Sequence, residues 1–161
     1  MTKQPTSLNC FLCGKKNPHG LKMEWLNNYE SGHIEGAVMI SDDYCSYKGI
    51  VHGGIVAAIL DETAGRAIML DNDFDRFMVT MKMETTYRKP TPTNTLLRAV
   101  GRVVQDRGSS AKVEGFLYTP DGAMTASCAA LIMRADHITA VIKSADEMAE
   151  WNRTRPQNNV D

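Results

Sequence analysis

Along this chain the spacing of hydrophobic residues switches between two periods. Leu21 to Leu26 alternates apolar and polar residues, the signature of a half-buried strand. Asn27 to Gly32 reads as a turn, and His33 to Ile40 as the returning strand. From Ile55 to Leu70 the residues are apolar or small on nearly every side, which predicts a long helix wrapped by other structure rather than lying on a surface. At about 1.5 Å per residue this helix is a rod roughly 24 Å long, enough to cross a small domain. Alternation then returns in Phe77 to Tyr87, Leu96 to Gln105, Ala111 to Tyr118 and Met124 to Met133. In the first of these Phe77, Val79, Met81 and Met83 share one face, and Thr80, Lys82 and Glu84 the more polar one. Pro90 and Pro92 end that strand, because proline cannot donate to a ladder. Asp106-Arg107-Gly108 and Pro120-Asp121-Gly122 are compact turns that suit a meander of antiparallel neighbours.

The segments between are read from their turn and cap residues. Residues 1–9 read as a loose tail and Cys10 to Gly20 as a turn-rich surface segment. Asp42 to Gly49 reads as a polar, aromatic loop leading into the helix. Ser144 with Glu147 three residues on is a capping box opening a short C-terminal helix, and the chain from Arg153 reads as a polar, frayed end. The order is strand, strand, helix, four-strand meander: an α+β arrangement with one helix buried by one antiparallel sheet. The divisions expected are 1–20 for the tail and turn segment, 21–135 for the folded domain and 136–161 for the C-terminal helix and tail.

At 161 residues, 43% hydrophobic, the chain can bury one core. Its net charge of −1, without a basic block, argues against a nucleic-acid partner. Asp61, Glu62 and Arg66 interrupt the longest apolar run, so no membrane span is expected. The opening Met-Thr-Lys-Gln-Pro lacks an apolar signal region, which makes a cytoplasmic location the expectation. Cys10-x-x-Cys13 has metal-knuckle spacing, with His19 as a third candidate, but no second pair follows to complete four ligands. No βαβ pattern surrounds it to favour a redox pair. The expectation is a reduced, tight turn with no metal and no cofactor.

Within the helix Asp61 requires an explanation. One turn either way lie Ala57, Ala58, Ala64 and Gly65, so no cation answers it along the helix. The small stripe they form with Gly54 would let a backbone or a ligand come close. The carboxylate is then wetted by a cleft, desolvated, or bonded to amides of a nearby strand. Glu62 has Arg66 at i+4 and reads as a helix ion pair. Gly53 and Gly54 at the helix start leave first-turn amides open to a ligand, where the dipole favours an anion. Gly53 and Asp61 lie about 12 Å apart along one helix axis, too far to meet on one carbonyl. Two antiparallel copies of the helix about a two-fold axis would bring them together, so a catalytic pair here requires at least a dimer.

His52-Gly53-Gly54 followed by Asp61, with the Cys-Phe-Leu-Cys-Gly…Asn-Pro-His-Gly-Leu opening and the later Thr-Tyr-Arg-Lys-Pro segment, resembles hotdog-fold acyl-CoA thioesterases of the phenylacetic-acid-degradation type. The resemblance runs from roughly Cys10 to Ala135. It implies a hotdog fold, one long central helix wrapped by a five- to six-stranded antiparallel sheet. It implies hydrolysis of the thioester of a small or medium acyl- or aryl-CoA, without cofactor, by a homodimer or a dimer of dimers. It assigns Asp61 as base or nucleophile, the Gly53 amide as oxyanion donor, His52 as a positioning residue and Thr80 as the hydroxyl that orients water. Strand parity alone would leave Thr80 a solvated residue. Ser46 stands where several relatives carry an asparagine, a shorter reach to the thioester or the water. Gly54 and Tyr47 are candidates to line the substrate site, although Tyr44 and Tyr47 also suit ordinary loop packing. Arg88 and Lys89, and the turn Arg107-Gly108-Ser109-Ser110, are candidates to meet the phosphates of coenzyme A. A non-catalytic acyl-CoA-binding module is the alternative on the same fold. An enoyl-CoA hydratase would need an Asp–His pair, which Asp42 and Asp43 do not supply beside His52.

Overall fold

The computed structural model describes residues 1–134 and 144–156; the expected boundary at 135–136 and residues 157–161 of the expected frayed end lie outside these. Nine strands and two α-helices account for most of the described chain. They are β1 (Thr2–Lys3), β2 (Glu24–Asn28), β3 (His33–Met39), β4 (Cys45–Tyr47), β5 (Ile50–Val51), α1 (Gly53–Arg66), β6 (Met78–Tyr87), β7 (Leu96–Asp106), β8 (Ser110–Tyr118), β9 (Met124–Arg134) and α2 (Ala145–Thr154). Seven strands form one antiparallel sheet in the order β1-β2-β3-β7-β8-β9-β6, and α1 lies across β7, β8 and β9. The α+β class and the single central helix are as the sequence predicts. No helix among the described residues is long and apolar enough to cross a membrane.

The helix sits unusually close to the sheet because the strands make room for it. In register, Ile34, Gly101, Gly115 and Cys128 form one row across four strands. A Cβ added at Gly101 would lie 2.3 Å from the Thr63 carbonyl oxygen, and one at Gly115 2.9 Å from that of Leu60. Backbone meets backbone at both points, so neither neighbour can swing aside. Gly101→Ala is therefore expected to destabilise the fold by about 1–3 kcal/mol, read as a lowered urea midpoint at unchanged m-value. The buried face of α1 carries Val56, Ile59, Leu60, Thr63 and Ala64. Its other face, Gly53, Gly54, Ala57, Ala58, Asp61 and Gly65, is only half covered or open, so the helix is wrapped on one side rather than all round.

Four expectations need correction. The sheet has seven strands rather than five or six because Thr2–Lys3 pairs with Leu26 and Asn27. The first nine residues are accordingly not a loose tail. The Gln4 side-chain amide donates to Asn27 Oδ1 at 2.7 Å and to the Arg66 carbonyl at 3.1 Å. Glu147 Oε2 accepts the Ser7 hydroxyl at 2.6 Å and the Leu8 amide at 2.7 Å. Burial would raise the Glu147 pKa, but Ser7, Leu8 and Asn9 outweigh it and hold the carboxylate below its ordinary value. The capping box is thus half made: Ser144 Oγ accepts the Glu147 amide at 3.4 Å, while the glutamate side chain reaches out to the N-terminal segment. Nor does the chain fray at Arg153, since Thr154 Oγ1 accepts the Thr6 amide at 2.9 Å and Arg155 pairs with Asp75 at 3.0 Å.

The third correction concerns Asn27, read as a turn residue but buried in β2, where its amide donates to the Met69 carbonyl at 3.0 Å. The carbonyls it serves belong to the 3-10 turn Ala67–Met69 that ends the helical rod, groups that need an outside donor. The fourth concerns β6. Thr80 pairs with Ile132 and Lys82 with Leu131, so Met81 is the extra residue of a β-bulge. The bulge reverses parity. Met81 is 60% exposed, whereas Met78 before it and Met83 after it pack on the core. Thr80 thereby shares the helix-facing row with Met78.

Candidate active site

Helix α1 begins at a peptide held from two sides. His52 is its N-cap, and Nδ1 accepts the Gly54 amide at 2.9 Å. The His52 carbonyl takes the amides of Ile55 and Val56 at 2.9 and 3.2 Å. Among the described residues the Gly53 amide meets no acceptor, which leaves it the open donor of the first turn. The Tyr87 hydroxyl, from the end of β6, donates to the Gly53 carbonyl at 2.7 Å and fixes that peptide's orientation. Gly54, whose amide is spoken for, is exposed beside it.

Two turns further on, Asp61 is half-buried, and Thr80 Oγ1 donates to its Oδ1 at 2.6 Å. The bulge at Met81 makes this bond possible by turning Thr80 toward the helix. Its partner is thus a hydroxyl, not the strand amides considered from the sequence. Asp61 and Thr80 line a cavity of about 720 Å³ that continues past Met69, Phe77, Met78 and Trp151. These walls mix apolar surface with a few charged groups, the composition of a small-molecule site. Gly53 and Asp61 lie on one unbroken helix, so within a single chain the open amide and the carboxylate stay apart.

The remaining candidates fall in three places. Ser46 and Tyr47 are exposed on β4, Tyr47 at 76%, and neither lines the cavity. Tyr44, by contrast, is half-buried against Phe11 with 6.1 Å between ring centroids. Arg88 and Lys89 are exposed just beyond Tyr87, at the Gly53 end of α1. Arg107, Gly108, Ser109 and Ser110 form the β7–β8 turn at the other end of β6, in register with Met133 and Val79. At about 3.3 Å per residue the ten residues of β6 hold the two cationic groups roughly 30 Å apart. They do not form one surface within a chain. Beside the second group, Arg76 makes a two-pronged contact to Asp106 and holds its pKa at about 2, with help from the Gly108 amide.

Glu62 and Arg66 pair at 2.7 Å, as the i+4 spacing predicts, but not as a surface pair. Arg66 is buried, 4.5 Å above the Trp25 ring and 5.5 Å from that of Trp151. Its guanidinium also donates to the Pro5 carbonyl at 2.9 Å and to Cys13 Sγ at 3.2 Å. The sulfurs of Cys10 and Cys13 and a Glu62 oxygen lie within 4.8 Å of one another, the described set best placed to hold a metal; the third member is Glu62 rather than His19, which is exposed. Tyr87 and Trp151 were not singled out from the sequence. A tyrosine ending a strand before Arg-Lys-Pro carries no sign of its partner, and Trp151 gains meaning only once α2 packs beside Phe77, with ring centroids 5.4 Å apart.

The model of the thioesterase superfamily matches residues 48–126, which include α1, β6, β7 and β8. An uncharacterized protein of Schizosaccharomyces pombe is 30% identical over 82 residues, 51% of this chain and 46% of that protein, so the matched stretch spans about half the length of this curated relative. A thioesterase superfamily protein of known crystal structure aligns with a TM-score of 0.70 at 25% identity, over 78% of this chain and 60% of that one. A Streptococcus mutans UA159 protein solved bound to acetyl CoA aligns with a TM-score of 0.56 at 20% identity, over 63% of this chain and 80% of its own. A hypothetical thioesterase from Streptococcus pneumoniae TIGR4 solved with coenzyme A aligns with a TM-score of 0.57 at 17% identity, over 63% of this chain and 77% of its own.

Proposed function

Because this chain belongs to the thioesterase superfamily, with its hotdog fold, we propose that it hydrolyses the thioester of a small or medium acyl- or aryl-CoA at a site shared by two protomers. The observation that carries this reading is the Asp61–Thr80 hydrogen bond on the wall of a cavity, together with an open Gly53 amide on the same helix. Hydrolysis needs a proton acceptor or nucleophile and a donor aimed at the developing oxyanion. Both groups are present, but about 12 Å apart along the helix axis, too far to act on one carbonyl from one chain.

A two-fold axis resolves the separation. Strand β6 is the long edge strand of the sheet, opposite the two-residue β1, and its unpaired amides and carbonyls are ready to take a second copy. It is tied to α1 at both ends, by Thr80 to Asp61 and by Tyr87 to Gly53. Antiparallel pairing of β6 with its copy, centred near Met83, sets the partner's Gly53 beside Asp61. The same operation sets the partner's Arg88 and Lys89 beside the Arg107–Ser110 turn, so the two cationic groups separated within a chain come together. Coenzyme A phosphates would lie among them, where bidentate arginine contacts are strong. The acyl group would point into the cavity toward Met69, Phe77 and Trp151.

In this arrangement the thioester carbonyl oxygen accepts the partner's Gly53 amide, aligned by the helix dipole. Asp61 takes a proton from water, or attacks directly, and Thr80 holds the carboxylate in position. The tetrahedral intermediate collapses with release of the coenzyme A thiolate, giving the free acid where water attacked, or an Asp61 acyl anhydride that a water then hydrolyses where the carboxylate attacked. His52, capping the helix through Gly54, orients the donor without entering the reaction.

Free-thiol release from short, medium and aryl acyl-CoAs tests the proposal: release from at least one class supports hydrolysis. Tight binding with no release from any class would make the chain an acyl-CoA-binding module instead. Thr80→Val is expected to lower kcat about 10- to 100-fold with little change in KM, the worth of one hydrogen bond to a charged group.

A further inference from the structure

The dithiol turn at the N-terminus plays no part in that chemistry, yet it opens on the same cavity. Both cysteines line it, Cys10 half-buried and Cys13 buried, with the two sulfurs within 4.8 Å. The turn that holds them is closed by the Gly14 amide donating to the Cys10 carbonyl at 2.8 Å. A Cβ at Gly14 would lie 2.3 Å from that oxygen, so only glycine permits the closure that sets both sulfurs on one side. Each sulfur also accepts hydrogen bonds that favour negative charge. The Leu12 amide reaches Cys10 Sγ at 3.3 Å, the Ser7 amide reaches Cys13 Sγ at 3.3 Å, and the Arg66 guanidinium reaches Cys13 Sγ at 3.2 Å.

We propose that Cys10 and Cys13 form an oxidisable dithiol site, at which a hydroperoxide entering through the cavity converts the pair to a disulfide. Cys10 is the attacking sulfur because it is the more exposed of the two on the cavity wall. A sulfur open to the cavity with a second sulfur within reach is the arrangement that oxidises on to a disulfide. The other cysteines lack it. Burial pushes Cys128 up to about 11, and Cys45 on β4 has no cation or amide on its sulfur among the described residues.

In the first step the Cys10 thiolate attacks the outer oxygen of the hydroperoxide. An S–O bond forms, the O–O bond breaks, and the departing alkoxide takes a proton to leave as alcohol. In the second, the Cys13 sulfur displaces hydroxide from the Cys10 sulfenic acid, forming the S–S bond. The hydroxide leaves as water with the Cys13 proton. Two thiols thus supply the two electrons that reduce the peroxide. A divalent cation is the less fitting occupant, because the fixed Arg66 charge already faces Cys13 and Glu62 Oε1 is already paired.

The test treats the reduced full chain with one equivalent of cumene hydroperoxide and counts thiols by mass. The expected product has lost two hydrogens, mapped to a Cys10–Cys13 link, with Cys45 and Cys128 still free. Cys13→Ser is expected to stop at a Cys10 sulfenic acid that dimedone traps. Because Cys13 is buried, Cys10→Ser serves as the second variant, and it is expected to leave Cys13 unoxidised. Oxidation of Cys45 before Cys10 would overturn the site. So would one equivalent of cobalt(II) bound with an intense thiolate charge-transfer band, which would make the turn a metal site.

Discussion

Asp61→Asn is expected to lower kcat/KM for acyl-CoA hydrolysis by about 10³-fold, within the 10² to 10⁴ range of a lost general base. The substitution is chosen because it keeps everything else. Asparagine has the same shape, and its side-chain oxygen can still accept the Thr80 hydroxyl that now lies 2.6 Å from Asp61 Oδ1. Asp61 is half-buried and its bonded partner is the Thr80 hydroxyl, with no cation paired to it among the described residues, so losing its charge orphans no described ion-pair partner. A thermal melt should therefore match that of the parent within a few degrees, as for a partly exposed substitution that breaks no packing. Thiol release and the melt together separate lost chemistry from lost folding. Full activity in this variant would remove Asp61 from the mechanism.

Much of this was legible because it depends on local pattern. The apolar run from Ile55 to Leu70 marked the central helix, and its small stripe marked the face that stays half open. The lone carboxylate on that face stood out for want of a neighbouring cation. What failed to read depended on partners distant in sequence. A polar N-terminal segment looks solvated until Glu147, 140 residues away from Ser7, is seen to hold it. Asn27 looks like a turn residue until the helix-end carbonyl of Met69 is seen to need its amide. Strict alternation put Thr80 on the outer face because one extra residue at Met81 has no signature in the hydrophobic pattern. The resemblance supplied Thr80 where periodicity could not. Arg88 and the Arg107 turn could be read as one cationic surface only while the ten residues of β6 between their ends were not yet placed.

Mixing two inactive variants is expected to restore about a quarter of parental activity, a result no monomeric site can give. One variant is Asp61→Asn and the other Gly53→Pro, which deletes the open amide. Proline fits this position for reasons visible in the backbone. Gly53 is the first helical residue, where an N–H has no intrahelical acceptor and proline is favoured. His52 before it has φ −58° and ψ 134°, a conformation a following proline accepts. The nearest atoms to a Cβ at Gly53 would be those of the Tyr87 phenol, at 3.6 Å, an ordinary contact. Removing one oxyanion donor should lower kcat by about 10²- to 10³-fold, and Gly53→Ala, which keeps the N–H, should stay near parental activity. If each site takes Asp61 from one protomer and Gly53 from the other, a mixed dimer holds one intact site and one doubly damaged site. Random reassociation makes about half the dimers mixed, each with one site of two working, hence roughly one quarter overall. Activity on mixing that never rises above the average of the two variants would mean that the amide and the carboxylate do not cooperate across a two-fold axis.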